Sequence, residues 1–265
     1  MIARLWNYLD LAVAYIRFNL KSQMEYRGAF ISQIAAMILN DGVWVAFWVL
    51  YFTRFPVLRG WGVEDVMTIW ALTASGFGLA HALYGNVIFL PFLIIQGQLD
   101  AWMLYPRALL PHMLLGKMNA TAWGDALFGY GVYFLLVQPD LIHALMFICL
   151  TISCATLFIG FGILAGSLAF FVGNAANLTE QWRISLITFS TYPSILFEGL
   201  VKILLFTLIP AGFVTHFPIQ VLRHLSLLDG IFTLGGTLGF LLLSIIVFHL
   251  GLRRYESGNL TEMRG

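Results

Sequence analysis

The chain has 265 residues, of which 60% are hydrophobic and only 10% charged, with a net charge of +1. A soluble domain carries about 25% charged residues, so this composition argues against a water-soluble enzyme and for an integral membrane protein. The near-zero balance offers no basic surface for nucleic acid.

Residues 1–26 are amphipathic, with Leu5, Leu9, Ala12, Ile16 and Leu20 at helical spacing and Arg4, Asp10, Arg17 and Lys21 between them. The six residues between Asp10 and Arg17 are too few for the apolar core of a signal peptide. A helix lying in the membrane interface is expected instead, its cations near lipid head groups. Apolar runs then predict six spans, near 28–52, 66–93, 118–137, 143–172, 184–206 and 230–252. The second run exceeds one span and is expected to break at Pro91. The runs are continuous rather than alternating, which excludes a barrel. Cys149 and Cys154 fall within one run at a spacing matching no zinc or redox motif, and read as buried small hydrophobes.

Lys and Arg set the orientation. With the N-terminus in the cytoplasm, the inside holds Arg4, Arg17, Lys21, Arg27, Arg107, Lys117, Arg183, Arg253, Arg254 and Arg264. The outside holds Arg54, Arg59 and Arg223, with Lys202 near the outer interface. The segment Ile209 to Asp229 is too long for a turn and too apolar for a free loop; it is expected to be a broken, partly re-entrant helix pair on the outer side.

One inner stretch, Ile94 to His112, stands apart. Gly97 opens it, Asp100 follows, and Leu99, Met103 and Leu104 fall on one side of a short helix with Trp102 beside them. Pro106 disfavours helix at Tyr105 and ends the element. Ten residues cannot cross a bilayer, so 97–106 reads as a surface helix on which something soluble pushes; a loop helix without a partner is the other reading. The whole chain, 1–265, reads as one all-α integral membrane domain with six transmembrane helices, an N-terminal interfacial helix, this cytoplasmic coupling helix and the outer broken pair.

The residues resemble a family. Tyr26-Arg27 before the first span, Gly97–Pro106 (G-Q-L-D-A-W-M-L-Y-P), and Tyr192-Pro193 followed by Ile209-Pro210 and Phe217-Pro218 are similar to the ABC-2 type exporter permeases, in the branch once described as a domain of unknown function. Its pattern at the second site is G-E-L-D-x-x-L-L-x-P; this chain has Gln98 where an acid is common and Tyr105 where an Arg is common. The resemblance implies a half-transporter. Two permeases, identical or similar, would pair in a bacterial-type inner membrane, driven by two cytoplasmic ATPase subunits that carry ATP and Mg. It implies a coupling role for Gly97, Leu99, Asp100, Trp102, Met103, Leu104 and Pro106, and an outer segment marked by Tyr192, Pro193, Pro210 and Pro218. The chain itself has no P-loop: Gly116-Lys117 is followed by Met118 and preceded by Pro111 where the first glycine belongs. No cofactor is expected in it.

Charged groups inside the spans are the remaining candidates. Asp41, beside Asn40 near the middle of the first span, suits a pathway or the dimer seam, or a structural hydrogen bond to a neighbouring helix. Asp125 fits the inner interface. Glu198 and Lys202 stand at i, i+4 and suit an ion pair on one helix, with Glu198 also a pathway candidate. His81 and His112 lack a second ligand at helical spacing, so no metal is expected. Gly162-x-x-x-Gly166 and Gly235-x-x-x-Gly239 permit close helix contact. Besides an exporter permease, an intramembrane lipid-modifying enzyme and a secondary transporter are possible classes. The first needs convergent acids, which the sequence scatters over separate spans. The second needs paired interrupted helices, of which one strong case is found.

Overall fold

The computed structural model describes residues 2–256, with side chains from residue 9 onward. Arg264 and the side chains of Arg4 and Leu5, used above, lie outside them. The described residues form helices and no strand. In chain order these are α1 (Ile2–Gln23), α2 (Arg27–Arg54), α3 (Val63–Leu83), α4 (Asn86–Ile95), α5 (Leu99–Met103), α6 (Leu109–Leu115) and α7 (Ala122–Val132). They continue with α8 (Leu141–Ser167), α9 (Ala169–Val172), α10 (Ala176–Ser190), α11 (Gly199–Leu204), α12 (His216–His224) and α13 (Leu227–Leu252).

Four stretches among the described residues are long and apolar enough to cross a membrane: Leu9–Arg54, Val63–Leu83, Leu141–Val172 and Leu227–Leu252. In the most apolar window of each, 83% is buried for α3 but only 17% for Leu9–Arg54 and 22% for α13. So α3 is the central post, packed on α7 and α8, while α2 and α13 carry outward apolar faces. Lipid or a second chain can cover such faces; water cannot without cost.

Three predicted spans are differently built. The second divides at Tyr84–Gly85, and Pro91 lies inside α4. The break is tertiary in origin. The Gly85 amide donates to Lys117 O at 2.9 Å and Asn86 Nδ2 to Met113 O at 2.7 Å, so the chain turns to dock on the 113–119 segment. The third is α7 followed by a π-turn over 133–137, which stops at Gln138 in a left-handed conformation, φ 52°. The fifth is not a continuous helix over 184–206. α10 begins at Ala176 and ends at Ser190; Pro193 keeps Tyr192 out of helix, and Gly199, with φ +58°, reorients the chain before α11.

Packing bears out one small-residue motif and not the other. Gly162 and Gly166 seat Val87 and Leu90 of α4 against α8. Gly235 and Gly239 have no atom of the described residues near the place a Cβ would take. The segment between α11 and α13 is held by an ion pair: Arg223 on α12 reaches Asp65 at the start of α3, Nε to Oδ1 at 2.7 Å, with its guanidinium over the Trp61 ring.

Candidate functional site

The stretch from Ile94 to His112 is built around Gly97. Its φ of +68° lets the chain leave α4 and re-enter as α5. α5 is only five residues long. Leu99 is fully buried, among Leu90, Ile94, Leu110, Met113 and Phe248, so it anchors α5 to the bundle rather than facing outward. Trp102 lies edge-on to His112 at 5.1 Å and fills the space left by Gly116. Met103, Leu104 and Tyr105 are exposed, 44%, 86% and 56% respectively. The outward apolar surface therefore begins at Met103 and continues past the helix, which the periodicity of a longer helix does not give. Pro106 follows in the turn that closes it. Tyr255, just past α13, joins the cluster behind α5; burial and the neighbouring Asp100 carboxylate push its hydroxyl up to about 12.

α1 is tied to this same end. The Tyr15 hydroxyl lies 2.7 Å from His112 Nε2, Asn19 Nδ2 donates to Leu115 O and Gln23 Nε2 to Met118 O. His112 also meets the rings of Trp102 and Tyr105. One buried histidine thus joins the N-terminal helix to the stretch around α5, a contact between residues 97 apart in sequence.

A second centre lies within the bundle. Gly124 lets α7 approach the α2 backbone at Ile34 and Met37, and Gly78 and Gly129 bring α3 against α7. This close packing brings Asp41 of α2 against Asp125 of α7, within hydrogen-bonding reach of each other. Asp125 therefore sits buried in the helix bundle, 3% exposed. Asn40 Nδ2 donates to Asp41 Oδ1 at 3.3 Å. Oδ2 of Asp41 and Oδ2 of Asp125 are buried with no other donor among the described residues. Two carboxyls in such contact need one proton between them.

The pair lines a cavity of about 320 Å³ between α2, α3, α7 and α10. Trp44 and Trp70 stack there at 6.1 Å, and the Trp70 Nε1 donor is buried without an acceptor. Arg183 on α10 lines this cavity and also a second one of about 220 Å³, whose wall includes His81, Val87 and Glu180. Glu180 grips Arg183 through two bonds, at 2.9 and 2.5 Å. Two cavities thus border α10 and share Arg183 as a wall residue.

A family profile described as ABC-2 family transporter protein matches residues 38–259. The chain belongs to the ABC-2 transporter family. Comparison with curated proteins and with solved structures gives no match. ABC-2 membership makes this membrane protein the permease component of a transporter, with transport rather than catalysis as the role of the chain.

The remaining expected positions of this ABC-2 chain distribute as follows. Glu198 does not pair with Lys202; it stands just before α11 without a capping bond and is salt-bridged to Arg59, exposed and not among the residues lining the Asp41 cavity. Tyr192 does line that cavity, with its ring against Trp48 at 5.8 Å. Pro193 ends the α10 region, Pro210 leads a single 3-10 turn at Ala211–Phe213, and Pro218 is buried in the first turn of α12. Trp44, Trp70 and Arg183 are site residues that the pattern of charges along the sequence did not single out. The clue was the cluster of glycines flanking Asp125, which marks a helix meeting its neighbours closely on that face.

Proposed function

We propose that this ABC-2 chain is one half of the membrane part of an ATP-driven exporter. Two permeases, identical or similar, pair in a bacterial-type inner membrane, with six crossings and both termini in the cytoplasm. Two cytoplasmic ATPase subunits supply the energy from ATP and Mg. The observation that best supports this is the inner stretch: a five-residue α5, anchored through Leu99 and presenting Met103, Leu104 and Tyr105 outward, beside an N-terminal helix bonded to the same end. A soluble partner seated on those exposed side chains would act on α1, α4 and α6 together, because His112, Trp102 and Leu99 link them. The Asp41 cavity is the start of the path.

The test is affinity purification of the chain in mild detergent with the ATPase of the adjacent reading frame. Wild-type chain should retain the ATPase and stimulate its hydrolysis. Met103→Ser with Leu104→Ser should leave a folded permease that loses both. Normal retention and stimulation by this variant would show that the stretch is a surface loop without a coupling role.

A further inference from the structure

The cavity at Asp41 carries more chemistry than a path through a membrane requires. Asp41 is 6% exposed and Asp125 is 3% exposed, and both line the cavity. The positive group on the same wall, Arg183, is held by Glu180 and does not neutralise them. Whenever the pair shares a single proton it carries one negative charge in a low-dielectric site, an arrangement that is costly unless a cation offsets it. The stacked Trp44 and Trp70 supply aromatic surface beside the acids, and ring faces attract a desolvated cation. Met37, Phe77 and Ile187 complete an apolar wall.

An anionic ligand would face two carboxyls and one arginine already engaged. A neutral apolar ligand would leave the carboxyls unmatched. We infer that the cavity between α2, α3, α7 and α10 binds the protonated nitrogen of an amphiphilic amine, with the acids holding the N–H groups and the indoles flanking the charge. This rests on the permease reading, and names the class of molecule carried.

Full-length chain in phosphatidylcholine nanodiscs, a neutral lipid surface, is titrated with dansylcadaverine, a primary amine with an apolar fluorophore, and with its N-acetylated form, and binding is read by fluorescence anisotropy. The amine should bind at least ~10-fold more tightly than the acetylated form. Asp41→Asn and Asp125→Asn should each weaken amine binding by about 30-fold or more while leaving the acetylated form unchanged. Asp140→Asn, a charge change at an exposed helix start elsewhere, should bind the amine as wild type does. Trp44→Leu changes a ring that is 44% exposed and outside the packed core, and tests the site even if the acid variants do not fold; it should weaken amine binding by about threefold or more. Equal binding of the two probes, or wild-type amine binding by folded Asp41→Asn and Asp125→Asn or by Trp44→Leu, overturns the assignment. The ATPase is absent from this assay, so a charge-blind result counts against the amine site alone, and failure to co-purify an ATPase counts against the permease reading alone.

Discussion

Leu99 is fully buried and Leu104 is 86% exposed, although both belong to one short apolar pattern. Their substitutions should separate accordingly. Leu99→Ser removes a packed side chain from the cluster with Met113 and Phe248 and should cost about 2–5 kcal/mol, read as a lowered thermal midpoint in detergent. Leu104→Ser should leave that midpoint unchanged and act only where a partner sits. Gly97→Ala asks for a different measurement of the same turn. At φ +68° a Cβ is strained by about 1–2 kcal/mol, so the midpoint should fall with no packed atom removed. The sequence makes the glycine and the helix visible because turn chemistry is local. It cannot show that Leu99 faces inward, since that depends on α6, α8 and α13 arriving around it.

Between elements, α1 is held to α6 by the bond between Tyr15 and His112. Burial, and then the neighbouring Arg107, hold the His112 ring below its ordinary value of 6.5, so the folded chain favours neutral imidazole, which accepts from the Tyr15 hydroxyl. The unfolded chain takes up the proton at the higher pH. Stability from this contact is therefore full above about 6.5 and is lost as pH falls through the depressed folded value. Hydrogen exchange over α1 and α6 should speed up as pH drops below about 6.5 once corrected for intrinsic rates, and His112→Gln should flatten that dependence. Exchange in α1 that follows only the intrinsic rate would mean that the helix is held by other contacts. At the other end, Arg223→Ala should free α12 from α3, because Asp65 then loses its guanidinium partner and Trp61 its cation. Protease nicking near Leu225 should increase. The long helices were legible from unbroken apolar runs, whereas the divisions at Gly85 and after Ser190 were not. The first is set by a bond to Lys117 O, far along the chain; the second starts its helix at Ala176, eight residues earlier than the apolar content suggests, because Glu180 and Arg183 satisfy one another on its first turns.

For the whole molecule, the proposed orientation predicts that engineered cysteines at positions 57 and 140 label from outside and one at 107 from inside; labelling of 140 from the cytoplasm would change the number of crossings. The charges in the sequence placed Asp41 inside a span but left its partner open, since helix order gives no distance between α2 and α7. Segment lengths carry a further consequence. α10 has 15 residues, a rise of about 22 Å at 1.5 Å per residue, against a hydrocarbon layer about 30 Å thick. α4, with 10 residues, is shorter still. The flank bearing α4 and α10 is therefore mismatched to an ordinary bilayer, while α8 and α13 are not. If α4 and α10 face lipid along their length, acyl chains beside them shorten or tilt, which gives the surrounding lipid a dent there rather than a uniform collar. Such a dent brings head groups and water toward the two cavities beside α10, so that amphiphiles in the leaflet have a shorter distance to travel to Asp41 than the thickness of the membrane suggests.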